Sequence, residues 1–234
     1  MSALSGRMIS DILAGTLPSY QATSTADGNL GYGFLFYALA RLLRPKNVVV
    51  VGSKAGFSVV CFAIGLKENQ GALIERVGCY ETSISAPNAE VKVHLVDPSF
   101  SHDREGADAW YGIGFWDDPA KVDAHWRKYG VEDYVRHHKM TSIAFCESGL
   151  CPDDLDLLYI DGDHSYSGIK GDFSRFHAHL KRDALILAHD VDPTLSHEFP
   201  EAGGYQALSD LDPDLYEVFR FPVYPGMALV RTKK

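Results

Sequence analysis

The chain has 234 residues, of which 46% are hydrophobic, and its formal net charge is −9. The hydrophobic fraction is typical of a globular protein with a real core, and the negative charge argues against a broad nucleic-acid-binding surface, because such surfaces depend on Lys and Arg. No apolar run approaches the ~20 residues that a membrane-spanning helix needs, so we expect no membrane partner.

Short apolar runs alternate with amphipathic stretches, which predicts a parallel sheet covered by helices on both faces. Leucines at helical spacing predict a helix over residues 34–43, which Pro45 ends. Another helix begins near Phe57. A later helix has an apolar face formed by Ile169, Phe173, Phe176 and Leu180. The predicted strands, in chain order, are 47–51, 92–96, 135–139, 155–160, 184–188, 216–221 and 227–231.

The first and last strands suggest the layout of the sheet. Four consecutive valines in 47–51 suit a central strand that is buried on both faces. Pro225-Gly226 separates the last two strands and predicts an antiparallel hairpin. We therefore predict an α/β fold with a doubly wound, mainly parallel seven-stranded sheet and a C-terminal antiparallel hairpin.

Two long connections, near residues 68–90 and 99–134, depart from a minimal α/β unit. The second is rich in aromatic residues from Trp110 to Trp126. These residues either wall a ligand pocket or pack an added helix onto the core. We expect one domain over 1–234 that carries both connections as insertions.

The N-terminus lacks the pattern of a signal peptide, and the four cysteines contain no CxxC pair. We expect reduced thiols in a cytoplasmic protein. Cys146 and Cys151 are alternatively a pair of metal ligands, although their spacing is unspecific and no second pair accompanies them.

Acidic residues follow three of the predicted strands: Asp97, then the run from Asp161 to His164, and then His189-Asp190. Open α/β sheets bind ligands at the carboxyl ends of their strands. Carboxylates at several such ends indicate a polar ligand or a metal, whereas any one Asp alone is also typical of a helix or turn cap.

A glycine loop, GSKAGFS, runs from Gly52 to Ser58 directly after the valine strand. Its G-x-x-x-G pattern differs from both the dinucleotide and the phosphate-loop motifs. Asp97 ends the next strand of the predicted parallel sheet, where a carboxylate can accept both hydroxyls of a ribose. Capping of the turn at Pro98 is the alternative role for Asp97.

The segment LDLLYIDGDHSYSGIKGDF resembles the fourth-strand signature of class I S-adenosylmethionine-dependent methyltransferases of the macrocin O-methyltransferase and cephalosporin-hydroxylase-like type. The later segment ILAHDV matches the ending of the fifth strand, and the resemblance runs from about Gly31 to Val191. The layout is also similar to that of catechol O-methyltransferases, which place a divalent cation at the ends of strands four and five.

The resemblance implies S-adenosylmethionine as cofactor. The positions that match its cofactor-binding residues are Gly52, Ser53, Gly56, Ser58, Asp97, Thr141 and Ser142. The positions that match metal ligands are Asp161, His189 and Asp190. Such a site would take Mg²⁺ or, given an imidazole ligand, Mn²⁺, Fe²⁺ or Zn²⁺. The matching base is Asp163 or His164. Val50 stands where the family carries a carboxylate that helps to hold the cofactor.

The implied reaction is O-methylation of a small hydroxylated acceptor, a sugar or a phenol. A non-catalytic binding module that keeps the fold is the alternative, and a nucleotide-dependent oxidoreductase is disfavoured because G-x-G-x-x-G is missing. His137-His138 and the pair His177 and His179 do not point at one centre, so we interpret them as surface histidines. A homo-oligomer is compatible with the sequence.

Overall fold

The three-dimensional structure is a computed structural model. It describes residues 4–18, 21–69, 74–77, 81–84, 90–99 and 115–233. Cys79, Trp110 and Tyr111 lie outside the described residues, as do parts of both predicted insertions.

Helices and strands alternate through most of the chain. The helices are α1 (Gly6–Gly15), α2 (Tyr32–Leu43), α3 (Phe57–Glu68), α4 (Pro119–Lys128), α5 (Ser142–Glu147), α6 (Tyr166–His177), α7 (Leu195–Glu198) and α8 (Gly204–Ser209). The strands are β1 (Asn47–Val51), β2 (Ile74–Val77), β3 (Glu81–Ile84), β4 (Lys92–Val96), β5 (Val135–His138), β6 (Leu155–Ile160), β7 (Leu180–His189), β8 (Tyr216–Phe221) and β9 (Met227–Thr232).

Seven strands form one sheet in the order β5-β4-β1-β6-β7-β9-β8, and β2 pairs with β3 separately as an antiparallel ribbon. Strands β6 and β7 are parallel, whereas β9 is antiparallel to both β7 and β8. The predicted doubly wound, mainly parallel seven-stranded sheet with a C-terminal antiparallel hairpin is confirmed.

Strands β1 and β6 are adjacent at the centre of the sheet, and both are apolar on their two faces. Val49 and Val50 in β1 and Leu157 and Leu158 in β6 are fully buried. Burial of one such side chain contributes roughly 1.5–3 kcal/mol, and β-branched valine suits the pleated surface. These strands therefore hold the loops that follow them on a rigid base.

The chain divides into two compact units. The first comprises Met1–Val48, Lys54–His94 and Phe115–Arg136, and the second comprises Val49–Ser53, Leu95–Gly114 and His137–Lys234. In the first unit α2 packs on α3, with the rings of Phe36 and Phe62 5.0 Å apart. In the second unit Ile169, Phe173 and Phe176 of α6 join the buried core cluster of the sheet. The residues directly after β4, β5, β6 and β7 belong to the second unit, as do Gly52 and Ser53 after β1, whereas the loop from Lys54 onward belongs to the first.

One sequence-based assignment is wrong. Leu180 does not complete the apolar face of α6, which ends at His177, but begins β7 opposite Leu155. The strand predicted over 184–188 spans Leu180–His189. Its first residues were missed because Lys181 and Arg182 are polar and hide the strand pattern in the sequence. In the part of the chain that the structure describes, no helix has the length and apolar character required to cross a membrane.

Candidate active site

The turn after β1 is closed by backbone contacts to two other strands. The Gly52 N–H donates to the carbonyl of Val96 at 3.0 Å, and the N–H of Asp161 donates to the carbonyl of Val51 at 2.9 Å. Gly52 has φ +71°, and a Cβ placed on it would lie 2.4 Å from the carbonyl oxygen of Asp161. Only glycine fits this position, since L side chains rarely adopt that φ and the space is filled by backbone.

Asp97 lies at the tip of β4 and is held in place by two amides. Its Oδ2 accepts the N–H of Ser53 at 3.3 Å, and its Oδ1 accepts the N–H of Ser99 at 2.8 Å. The residue is only 7% exposed. His137 approaches the Asp97 carbonyl oxygen through Nε2 at 3.2 Å. Ser53 therefore links Asp97 to the glycine turn.

Gly56 and Ser58, the other two predicted residues of the loop, belong to the first unit. Gly56 precedes α3 with φ +84°, and a Cβ there would lie 2.9 Å from the ring of Trp126 and 3.0 Å from that of Trp116. Ser58 is in the first turn of α3 and is 2% exposed. The loop is thus packed against aromatic rings at the start of the helix.

The aromatic stretch packs internally where the structure describes it. The rings of Trp116 and Trp126 stack at 5.0 Å and are 3% and 4% exposed. His125 lies edge-on between Phe115, Trp126 and neighbouring rings at about 5 Å. Burial lowers the pKa of His125 to about 4, aided by nearby Lys128 and opposed by a hydrogen bond to the Ala55 backbone. These residues match the alternative in which the aromatics pack an added helix.

Asp161, His164 and Asp190 form a compact cluster after β6 and β7. One ligand atom from each lies within 4.8 Å of the other two. Nδ1 of His164 is 3.0 Å from Oδ2 of Asp190. Side-chain exposures of 15% to 20% leave this group partly open to solvent. Two carboxylates and an imidazole in this arrangement can hold a divalent cation or transfer a proton.

His189 contacts both carboxylates of this cluster from the buried side and is 2% exposed. Its Nδ1 is 3.1 Å from Oδ1 of Asp190 and 3.3 Å from Oδ1 of Asp161. Burial opposes its protonation, but the two carboxylates outweigh burial and raise the pKa of His189 to about 10. The ligand atoms that come together belong to Asp161, His164 and Asp190, so the geometry favours His164 over His189 as the imidazole ligand.

Asp190 responds to the same charges. Burial alone would raise its pKa, but the charge of His189 and the hydrogen bond to His164 outweigh burial and hold the pKa of Asp190 well below its usual range. The carboxylate is thus ionised at neutral pH with each oxygen facing one imidazole.

Three further predicted residues serve local structure. Asp163 is exposed and its Oδ1 accepts the N–H of Ser165 at 2.9 Å, a turn preceding α6. Thr141 caps α5 by accepting the N–H of Ala144, and Ser142 donates to the buried carboxylate of Asp172 at 2.6 Å. Of the two candidate bases, His164 is the one placed beside a second functional carboxylate.

The interpretation of the histidine pairs as surface residues is wrong for His138, which is 7% exposed and packs on Phe145. Sequence analysis also missed the buried position of His189 behind both carboxylates. The apolar run ILA before His189 was an available signal, because the strand that contains it is buried on both faces.

Comparison with known proteins identifies the family of the domain. Residues 49–191 match the model of a methyltransferase domain family. An uncharacterized protein of Sinorhizobium fredii is 24% identical over 194 residues; the match covers 82% of this chain and only 18% of that protein.

Solved structures share the fold. A methyltransferase from Geobacter sulfurreducens has a TM-score of 0.56 and 21% identity, covering 86% of this chain and 78% of its own. The O-methyltransferase TomG from Streptomyces achromogenes, solved with S-adenosylmethionine, has a TM-score of 0.60 and 13% identity, covering 98% and 89%. Since the family match spans the glycine turn, Asp97 and the carboxylate cluster, the chain belongs to this family of methyltransferase domains.

Proposed function

We propose that the protein transfers a methyl group from S-adenosylmethionine to a hydroxyl oxygen of a small acceptor, a sugar or a phenol. The observation that carries this proposal is the placement of Asp97 beside the Gly52 turn in a methyltransferase domain. An O-methyltransferase of the same fold binds S-adenosylmethionine, which supports the choice of cofactor.

The residues of the turn fit this cofactor. A carboxylate offers about four lone-pair sites, so the two amides that orient Asp97 are compatible with its accepting the two hydroxyls of a ribose. Gly52 packs against the backbone of Asp161 and bonds to Val96, which fixes the turn beside Asp97. Holding the methyl donor in line with the acceptor can supply several kcal/mol of the barrier reduction.

His164 is our choice for the base. As the acceptor oxygen bonds to the methyl carbon, the carbon–sulfur bond breaks, the sulfonium becomes a neutral thioether, and the hydroxyl proton must leave. A neutral imidazole accepts that proton, and Asp190, 3.0 Å from Nδ1, stabilises the resulting imidazolium. Asp163 remains the alternative base, although it is engaged in a turn.

Asp161 and Asp190, with His164 as the third donor, would hold a divalent cation. The imidazole favours Mn²⁺, Fe²⁺ or Zn²⁺ over Mg²⁺. When bound, such an ion lowers the pKa of the acceptor hydroxyl and orients it. His164 cannot bind the metal and accept the proton through the same nitrogen. Removal of metal therefore distinguishes the two roles.

The test is a transfer assay with radiolabelled S-adenosylmethionine and a panel of sugars and phenols, with and without chelator. We expect label in at least one hydroxylated acceptor. Activity that survives the chelator shows that the reaction needs no metal ligand and leaves His164 free to act as base, and activity abolished by the chelator and restored by Mn²⁺ supports His164 as a ligand. Label in none of the acceptors, with intact cofactor binding, would favour the non-catalytic alternative, which the buried Val50 supports.

Replacement of Asp97 tests the cofactor site itself. Asp97→Asn should weaken binding of S-adenosylhomocysteine roughly 10–100-fold, because a hydrogen bond to a charged group is worth about 1.5–3 kcal/mol. Isothermal titration calorimetry measures the change. Asp212→Asn is the matched control, since Asp212 is exposed and accepts an amide two residues ahead at the same 2.8 Å. Equal affinities for both variants would contradict the assignment of Asp97.

A further inference from the structure

Three side chains of the types that can coordinate a metal meet at the amino ends of β6 and β7. Cys146 lies near the end of α5, Cys151 lies between α5 and β6, and His179 lies between α6 and β7. One ligand atom from each lies within 4.8 Å of the other two. The N–H of Leu155 donates to the carbonyl of His179 at 2.9 Å, which fixes the two connections side by side.

The group is largely enclosed and its polar atoms face one another. Cys151 is 5% exposed, Cys146 is partly buried, and the Cys151 thiol donates to the carbonyl of Pro152 at 3.8 Å. Nδ1 of His179 is shielded from solvent and lies 3.3 Å from Oδ1 of Asp153, whose side chain is 97% exposed. Asp153 is thus the carboxylate that already borders the group, through His179.

From this juxtaposition we propose that Cys146, Cys151 and His179 bind a thiophilic divalent ion of the Zn²⁺ class, with Asp153 as fourth ligand. Zinc takes thiolate sulfur at about 2.3 Å and imidazole nitrogen at about 2.0–2.1 Å, which places tetrahedral ligand atoms roughly 3.5–3.8 Å apart. Ligand atoms already within 4.8 Å reach these separations by small side-chain movements. Binding releases the two thiol protons to solvent.

This site differs from the carboxylate cluster in place and in chemistry. Asp161 and Asp190 follow the carboxyl ends of β6 and β7, whereas Cys151 and His179 precede the amino ends of the same strands. Thiolates select zinc-like ions, while carboxylates suit harder cations. The metal would therefore be structural, and it would join the α5–β6 connection to the α6–β7 connection.

Cobalt is the probe, because Co²⁺ bound by thiolate gives a sulfur-to-metal charge-transfer band that oxygen and nitrogen ligands do not give. Protein purified with reductant and stripped of metal is titrated with Co²⁺. We expect one equivalent to bind with this band and excess Zn²⁺ to bleach it. Cys146→Ser and His179→Gln should lose the band or weaken cobalt binding at least tenfold.

Asp161→Asn and His197→Gln are the controls. The first alters the carboxylate cluster and the second removes an exposed histidine outside the group, so both should retain the band. Circular dichroism verifies that each variant is folded, and Zn²⁺ should raise the Tm of the wild type but not of Cys146→Ser. Absence of the band in reduced wild-type protein would overturn the proposal. Its persistence in both Cys146→Ser and His179→Gln would do so too.

Discussion

At the scale of single residues, the carboxylate cluster is contacted by two histidines of the chain itself. Asp190 presents one oxygen to His164 and the other to His189. Unpaired carboxylates this deep would be protonated, because desolvation penalises their charge. The buried His189 thus helps to keep Asp190 ionised and oriented, which is the state that metal binding or proton transfer requires.

His125 provides a pH-dependent test at this scale. Its pKa is about 4 in the folded chain and about 6.5 when unfolded, so between these values the unfolded chain binds more protons. The contribution of neutral His125 to stability is therefore fully present above the unfolded pKa and is lost as pH falls towards the folded pKa. We expect His125 to remove about 2 kcal/mol from the free energy of unfolding between pH 7.5 and pH 5. Urea unfolding at the two pH values measures this loss.

His125→Phe isolates the contribution, since phenylalanine keeps the ring among Phe115 and Trp126 and cannot be protonated. Its unfolding free energy should depend on pH less than that of the wild type by the same amount. His197→Gln, which alters an exposed histidine, should leave the dependence unchanged. Identical pH dependences for wild type and His125→Phe would contradict the low pKa.

At the scale of elements, the site is positioned by strands that end at the same level. The amides of Gly52 and Asp161 each bond to a neighbouring strand at its last residue. The register leaves space only for backbone at Gly52, since the carbonyl of Asp161 would lie 2.4 Å from a Cβ. The turn is thereby set by the sheet rather than by its own side chains.

Gly52→Ala tests this packing, with Gly149→Ala as its control. Both glycines have nearly the same backbone angle, φ +71° and +73°, but no atom of the described residues lies within 4 Å of a Cβ on Gly149. Gly149→Ala should cost about 1 kcal/mol from backbone strain alone. Gly52→Ala should cost at least about 2 kcal/mol more, because a strand end must also move. Equal losses in chemical denaturation would refute the packing argument.

At the scale of the whole molecule, cofactor binding should appear as thermal stability. A ligand that binds only the folded chain adds about 2.7 kcal/mol at one hundred times its Kd. For a chain of this length that corresponds to a rise in Tm of roughly 5–10 °C. Differential scanning fluorimetry with S-adenosylhomocysteine measures the rise, and NAD at the same concentration should produce none. Similar shifts with both ligands would argue against a methyltransferase cofactor site.

The local part of this architecture was predictable from sequence. The strands 47–51, 92–96, 155–160 and 216–221 agree with the structure at both ends, because each carries apolar residues in a continuous or alternating pattern. The resemblance in LDLLYIDGDHSYSGIKGDF pointed to a class I methyltransferase, and residues 49–191 match a methyltransferase domain family, although not specifically the macrocin and cephalosporin-hydroxylase-like type. The strand pattern and the family motif are both carried by residues that are contiguous in the sequence.

What sequence alone did not decide depends on contacts between distant segments. The order of the strands brings the ends of β6 and β7 together, and only that juxtaposition places His189 beneath Asp161 and groups His164 with Asp190. The meeting of Cys146 and Cys151 with His179 has the same origin. Spacing along a chain does not report such proximities, because they are created when buried strands pair in a register that the apolar core selects.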